Sequence, residues 1–472
     1  MADFRYQQLM QQLRSGIENG RWQHGDMLPS VRSLMAEKQL SRATVLHALA
    51  ELELSGLIKA EPRRGYFVLP QSSSVATPPS QHPETKPHLF STDELMQDVM
   101  RQGAAFDLLP EAGKYDETGD EQALLHRAIN RAMRHSRGLS HQYYDVPQGA
   151  EFLRQLLSSR LRLQGCNYVG DDLVITHGCQ HALFLALMSC TSVGDVVAVE
   201  SPGFFGTLQL LQQLGLKVLP LPCDPDTGLQ PDDVEKALQL WNIKALVVTP
   251  SFSTPTGACM PEEARRALVT LAQQYEMTLI EDHLYSELDF HGVNHTPLAA
   301  LAPEQVILCS SFSKSLSRDL RLGFVASATR TSQLTHLKQV TTLANSRFIE
   351  QGLESFIADG SYDRHLQRLR RKLRVQCHDL QTLLKTSFAE SYFSQPKGGL
   401  CLWLAFASSV DVIQLYQQAR SMGIILTPGP MFTSQPLMYR NCLRLSFAQP
   451  WNLARRHALN QVKTLLQSST HS

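Results

Sequence analysis

Up to Leu69 the apolar positions fall at helical spacing three times and then switch to strand patterning. Leu9, Leu13 and Ile17 recur at one-turn intervals, marking one face of a helix that Gly20 ends. After Pro29-Ser30, Val31, Leu34 and Met35 mark a short second helix. Ser41 has the chemistry of an N-cap and opens a third helix through Thr44, Val45, Ala48, Leu49 and Leu52 to Gly56. Two β-rich pieces follow, Leu57-Ile58-Lys59-Ala60 and Gly65-Tyr66-Phe67-Val68-Leu69, joined by Glu61-Pro62-Arg63-Arg64. The order helix–helix–turn–helix–hairpin predicts a winged helix-turn-helix over residues 1–70.

Residues 71–88 interrupt the pattern. Ser, Thr, Pro and Gln dominate there, so the segment reads as a semi-flexible, solvated spacer. Beyond it, apolar strand-like runs alternate with helical stretches. The predicted strands are Asp172–Thr176, Val196–Val199, Lys217–Leu221, Ala245–Thr249, Thr278–Ile280 and Val306–Cys309, with helices Gln180–Met188, Gly206–Leu214 and Pro261–Tyr275 among them. Such alternation predicts a mostly parallel sheet covered on both faces. From about Thr341 the pattern turns mainly helical and ends in Leu400–Leu404 and Cys442–Phe447, a smaller α+β part. The expected organisation is multidomain, with residues 89–472 forming an α/β domain whose large part runs from about 135 to 345 and whose small part fills 346–472.

Composition narrows the function classes. With 472 residues and a formal net charge of +0, any nucleic-acid site must be a local patch on an otherwise neutral protein. Nine cysteines without a C-x-x-C pair or zinc-like His/Cys spacing fit a reducing cytosol, and no metal is expected. The start MADFRYQQLM is polar, unlike a signal peptide, and no apolar run reaches the roughly 18 residues a membrane span needs. A cytoplasmic protein with no membrane partner is the expectation.

A recognition helix needs polar and basic side chains at its first turn and an apolar face behind. Ser41, Arg42 and Thr44 supply the first; Val45, Leu46, Leu49 and Leu52 supply the second. Arg32 can reach a phosphate, and Arg63-Arg64-Gly65 at the wing tip suits a minor-groove or backbone contact. Each arginine alone reads equally well as solvated surface. Together, Leu28-Pro29-Ser30-Val31-Arg32, Leu40-Ser41-Arg42-Ala43-Thr44-Val45, the run from Leu49 to Ile58, and Arg64-Gly65-Tyr66-Phe67-Val68 resemble the GntR-family DNA-binding domain. That resemblance implies operator contacts by Arg32, Ser41, Arg42, Thr44 and Gly65.

The larger part offers residues that pyridoxal 5′-phosphate (PLP) chemistry demands: a lysine for the imine, an acid for the pyridine nitrogen, a phenol for the ring oxygen, an aromatic to stack, phosphate donors and a carboxylate-binding arginine. Lys314 follows a predicted strand, as do Asp282 with Tyr285, and Gly178-Cys179-Gln180 precedes a helix whose N-terminus suits a phosphate. Singly, each reads as surface, loop or core; the ordered set resembles the fold-type-I aminotransferase family across about residues 100–460. Tyr144-Asp145-Val146-Pro147-Gln148-Gly149 looks like its Y-x-x-P-x-G segment, whose tyrosine reaches the neighbouring subunit's phosphate. The resemblance further implies Gly178, Cys179 and Gln180 at the phosphate, Phe204 stacking on the ring, Asp282 at the pyridine nitrogen and Tyr285 at the ring oxygen. It places Ser311 and Ser313 beside the imine lysine Lys314, Arg321 on the phosphate and Arg444 on a substrate or effector carboxylate. One position departs: Thr254 stands where the family's N-P-T-G has the asparagine that holds the ring hydroxyl, which leaves Tyr285 to hold that oxygen.

A GntR-type module joined to an aminotransferase-like domain resembles the MocR subfamily of regulators, and this resemblance covers essentially the whole chain. It implies a homodimer bound to double-stranded operator DNA. Three functions remain compatible with the residues. The first is a PLP-dependent transcriptional regulator that senses an amino compound by imine exchange at Lys314; the second is an active class I/II aminotransferase with a DNA-binding appendage. The third, an inert dimerisation scaffold, leaves the intact PLP set unexplained. The N-terminal module favours the first, because a metabolic transaminase needs none.

Overall fold

The computed structural model describes residues 2–19, 21–23, 25–54, 57–61, 64–69, 81–91, 94–101, 108, 120–135 and 143–469. The chain divides into two compact units, Met1–Thr77 with Cys377–Glu390, and Pro78–Gln376 with Ser391–Ser472.

In the smaller unit, α1 (Ala2–Glu18), α2 (Val31–Lys38) and α3 (Arg42–Leu54) precede the hairpin β1 (Ile58–Glu61) and β2 (Gly65–Val68). Leu9, Leu13 and Ile17 meet Leu34, Val45, Leu49 and Leu52 in one core, and Ile58 and Val68 close it from the wing. Those two residues face each other across the antiparallel pair, which ends at Glu61 opposite Gly65. Truncating one of these leucines to alanine would cost about 2–5 kcal/mol. Ser30 starts α2 by accepting the Ser33 N–H at 3.1 Å, the capping that makes Pro-Ser a helix-start signal.

The larger unit contains strands β3 (His88–Leu89), β4 (Leu173–Thr176), β5 (Val196–Ser201), β6 (Lys217–Asp224), β7 (Gly228–Leu229), β8 (Ile243–Val248), β9 (Thr278–Asp282), β10 (Val306–Ser311) and β11 (Gly323–Ala326). They form one sheet in the order β3-β6-β5-β8-β9-β10-β11-β4, with β7 paired to β6. Its helices are α4 (Glu94–Arg101), α5 (Asp120–His135), α6 (Glu151–Arg162), α7 (Cys179–Cys190), α8 (Phe205–Gln213), α9 (Pro231–Leu240), α10 (Glu262–Gln274), α11 (Leu298–Leu301), α12 (Thr331–Thr342) and α13 (Arg347–Ala358). Strands β6, β5, β8, β9 and β10 run parallel. Along β8 the pleat sends Leu246 and Val248 into a core with α6, α9, α10 and α13, and Ala245 and Val247 into a second core with α7, α8 and α12. Both faces are dry, which is why these strands read as continuous apolar runs. The long α14 (Ser361–Ser387) leads to a three-stranded antiparallel sheet of β12 (Tyr392–Phe393), β13 (Cys401–Ala405) and β14 (Cys442–Ser446), accompanied by α15 (Val412–Ser421) and α16 (Leu453–Ser469).

Two features differ from the sequence reading. Residues 81–88, assigned to a solvated spacer, are held by the larger unit. Gln81 donates to Asn441 Oδ1 at 2.9 Å and accepts from the Tyr439 N–H at 2.8 Å, while Trp241 Nε1 donates to the Thr85 carbonyl at 3.2 Å. His88–Leu89 then adds an antiparallel strand to the edge of β6. Composition describes the segment's own preference and says nothing of a surface that satisfies its polar groups. Residues 71–80 lie outside the described set. The second difference is β11, four residues with no strand signature, inserted antiparallel between β10 and β4. Among the described residues no helix is long and apolar enough to cross a membrane.

Candidate functional site

In the smaller unit, α3 begins where the sequence places it. The Ser41 hydroxyl accepts the Thr44 N–H at 3.2 Å and shares a 2.8 Å hydrogen bond with the Thr44 hydroxyl. These two residues therefore shape the helix start, and Arg42 stands exposed beside them. Arg32 is exposed on α2. At the wing, Arg64 pairs with Glu61 at 2.6 Å and lies 5.0 Å from the Phe67 ring centroid. Gly65 takes φ +125°, a conformation L side chains rarely adopt. Arg63 lies outside the described residues.

In the larger unit, strand register builds the second site. Thr176 at the end of β4 pairs with Gly323, Gly323 pairs with Ser311, and Cys309 pairs with Asp282. The loops leaving β4, β10 and β9 therefore emerge at one edge of the sheet, the edge where α/β folds place ligands. Those loops carry Gly178, Ser313–Lys314 and Tyr285, and the first leads straight into Cys179 and Gln180 at the start of α7.

Gly178 caps α7 with φ +91°, and a Cβ there would come within 3.1 Å of the Arg321 guanidinium. Arg321 itself is left-handed, φ +48°, and donates Nη2 to the His177 carbonyl at 3.0 Å. The first N–H groups of α7 have no intrahelical partner and stand beside that guanidinium, a cradle suited to a phosphate. Gln180 donates to the Gly206 carbonyl at 2.9 Å. The Phe204 ring lies so close over Gly206 that a Cβ there would meet it at 2.5 Å. Ser311 is buried and accepts the Ser313 N–H at 3.3 Å.

Alternation along β9 sends neighbouring carboxylates to opposite faces. Glu281 faces His283 at 3.2 Å and accepts the Ala299 N–H at 3.0 Å. Asp282 faces α7, accepting the Cys179 thiol at 3.4 Å and the Leu284 N–H at 3.1 Å. Neither partner is a cation, and burial pushes the Asp282 carboxyl up to about 6. A buried carboxylate so placed suits a protonated ring nitrogen as counter-charge.

Lys314 is half-buried after β10, and burial, then the positive charge of Arg444, brings its amine down to about 8. Burial raises the Tyr285 phenol far above its usual range, with Cys401 and Asp282 adding to the rise and Arg444 opposing it. These mutual influences put Lys314, Asp282, Tyr285 and Arg444 in one electrostatic neighbourhood. Arg444 is buried on β14 opposite Trp403, with Nη2 3.4 Å from the Thr427 hydroxyl and its guanidinium 5.7 Å from the Phe432 centroid. Thr254 is buried with Oγ1 3.7 Å from Cys401 Sγ. Sequence patterning placed residue 401 in a core strand and gave no sign of this thiol's place in the site. Tyr144 stands apart, 79% exposed.

The residues present fit PLP: an amine brought down to about 8, a buried carboxylate hydrogen-bonded only to a thiol and a backbone N–H among the described residues, and a helix-start cradle with an arginine. Residues 5–68 match the family described as bacterial regulatory proteins, gntR family, and residues 111–461 match aminotransferase class I and II. The HTH-type transcriptional regulators YjiR and YdcR of Escherichia coli are 33% and 34% identical to this chain, over 97% and 98% of it and 98% and 99% of their own lengths. TauR of Rhodobacter capsulatus, another HTH-type transcriptional regulator, is 29% identical over 93% of this chain and 92% of its own. The α-aminoadipate aminotransferase LysN of Thermus thermophilus shares the fold, with a TM-score of 0.70 at 23% identity over 80% of this chain and 95% of its own. The chain belongs to the MocR type of transcriptional regulators, a GntR helix-turn-helix module joined to a class I and II aminotransferase domain built for pyridoxal 5′-phosphate.

Proposed function

We propose that this regulator reads operator DNA with its smaller unit and detects an amino compound in its larger one, the compound displacing Lys314 from the cofactor. The observation that carries the reading is the electrostatic neighbourhood of Lys314, Asp282, Tyr285 and Arg444 within a chain that also holds a GntR module. PLP supplies an aldehyde that links reversibly to amines and a ring that accepts electrons.

The protein's own groups then divide the work. Lys314 would hold the cofactor through its amine and, once freed, could move a proton as a base. Asp282 would keep the pyridine nitrogen protonated and Tyr285 would hydrogen-bond the ring oxygen, where the Thr254 hydroxyl, beside Cys401, takes the place of an amide. Phe204 would stack on the ring. Arg321, Ser311, Ser313 and the N–H groups of Gly178, Cys179 and Gln180 would hold the phosphate, and Arg444 would grip the effector's carboxylate by a bidentate pair. Tyr144, exposed in its own subunit, completes a neighbour's phosphate site in a homodimer. Two DNA modules then read paired half-sites through Arg42 at the bases and Arg32, Ser41, Thr44, Arg63, Arg64 and Gly65 at the backbone or wing. The protein acts in the cytoplasm.

A sensor gains from a ligand that stays, so the half-reaction of transamination is slow beside the roughly 10 s⁻¹ turnover of a typical enzyme. The test is to follow the visible spectrum of the PLP-loaded protein after adding a panel of amino acids. The reading expects a rapid spectral change on binding and slow formation of the pyridoxamine form; fast turnover of several amino donors would favour the catalytic alternative. Against that alternative stand the full-length relatives, which carry regulator names.

A further inference from the structure

Seven of the nine cysteines are buried, and only Cys223 and Cys259 are half-buried. Their surroundings differ. The Cys223 thiol faces the Leu221 carbonyl at 3.7 Å, and burial drives its ionisation far up. Cys259 Sγ instead lies 3.8 Å from His295 Nδ1. The other ring nitrogen, His295 Nε2, lies 3.0 Å from Asp289 Oδ2. Asp289 is buried, and its second oxygen accepts the His291 and Val293 N–H groups at 2.8 and 3.0 Å. The Phe252 ring meets the imidazole edge-on at 5.4 Å between centroids, fixing its plane. On the thiol's other side the fully buried Arg265 brings Nη2 to 3.8 Å from Sγ.

The arrangement is a thiol, a base and an orienting carboxylate in sequence, the order that activates a sulfur nucleophile. Burial alone would raise the Cys259 thiol, but the hydrogen bond and charge of His295, with Arg265, outweigh it and the thiol comes down. His295 goes the other way, to about 9, held by Asp289 and then by Cys259. His295 and Arg265 are the charged groups acting on Sγ. The His295 imidazolium and the Arg265 guanidinium thus favour the thiolate form of Cys259.

We propose that Cys259 is a modification site for hydroperoxides, a thiolate that is oxidised to a sulfenic acid under the control of His295 and Asp289. The sulfur lone pair attacks the terminal peroxide oxygen and forms the S–O bond while the O–O bond breaks. Sulfur loses two electrons and the peroxide gains them; the leaving alkoxide or hydroxide takes the Nδ1 proton of His295. The position gives the oxidation a consequence. Cys259 bridges Ser251, closing the loop that carries Thr254, and Arg265 ties the base of that loop through the Pro250 carbonyl at 2.7 Å and the Ser251 hydroxyl at 2.9 Å. An added oxygen on Sγ presses on the arginine that holds it.

The full-length protein is alkylated with iodoacetamide across a pH series, and each cysteine is quantified by mass spectrometry. A second sample receives substoichiometric hydrogen peroxide and is trapped with dimedone. Free thiols are only a few per cent ionised at neutral pH, so Cys259 should alkylate with a midpoint below that of free cysteine and take the dimedone label about tenfold more than Cys223. H295Q should slow alkylation of Cys259 at neutral pH about fivefold or more while leaving the alkaline rate, where every thiol is ionised, unchanged. D289N should move the profile the same way. A wild-type midpoint at or above that of free cysteine, or a neutral rate that H295Q leaves intact, overturns the proposal.

Discussion

Lys314 and Arg444 stand in one site, and the guanidinium's charge adds to the burial that brings the lysine amine down to about 8. The proposed sensing needs this lysine neutral part of the time, since only a free amine bonds an aldehyde. On that reading the arginine that would hold a carboxylate also prepares the lysine.

The pH dependence of cofactor capture follows. In the cofactor-free protein, the rate at which Lys314 captures PLP should rise with pH to about 8 and then level, because the amine is neutral above that value. Arg444→Gln removes one of the three lowering influences and should move the midpoint upward, short of the unperturbed lysine value near 10.4 because burial and the Arg318 charge remain. Stopped-flow absorbance across pH measures it; an unchanged midpoint would separate the two residues.

Asp282 gives a prediction about stability. Its carboxyl is raised from 3.8 to about 6 in the folded protein, so its contribution is fully present below 3.8 and is lost as pH rises through about 6. By linkage the neutral-pH penalty is about 3 kcal/mol, an order-of-magnitude figure. Asp282→Asn should therefore raise the melting temperature of the cofactor-free protein at neutral pH and leave it unchanged near pH 4. The same variant should bind PLP far more weakly. Lower cofactor-free stability at neutral pH, with PLP affinity kept, would mean the carboxylate serves the fold and not the ring.

On the DNA side, three neighbours should separate. Arg42→Ala should cost about 1–3 kcal/mol of discrimination between operator and random DNA. Arg32→Ala should weaken both and reduce the salt slope by about one unit. Ser41→Ala should also lower the module's stability by about 1 kcal/mol, because its hydroxyl caps α3. Titrations at several salt concentrations, with thermal melts, distinguish the three; equal loss on both DNAs for Arg42→Ala would remove its base-reading role.

Much of the architecture was legible because both faces of the main sheet are dry, so β5, β8, β9 and β10 each carry adjacent apolar residues, such as Val196–Val199, Ala245–Val248, Leu279-Ile280 and Val306–Cys309. Gly323–Ala326 escaped notice because a four-residue strand held by two neighbours needs no signature of its own. The attachment of residues 81–88 was illegible for a similar reason: Gln81 finds its partners at Tyr439 and Asn441, far along the chain. Candidate site residues were legible by order along the sequence, since they follow strand ends that register brings to one edge. Cys401 beside Thr254, the thiol of Cys179 on Asp282 and the Glu61 partner of Arg64 were not, because each depends on side-chain packing that spacing does not encode.

The most direct test of the account is operator affinity measured by fluorescence anisotropy, with and without each member of an amino-acid panel, for the PLP-loaded wild type and for Lys314→Ala. The account predicts that at least one amino acid shifts the wild-type Kd while also changing the cofactor's absorbance. In Lys314→Ala, operator binding should persist and the covalent link that borohydride fixes should be gone, with the response to the amino acid abolished or locked. An operator affinity indifferent to every amino acid, in a protein that rapidly converts several of them, would contradict it.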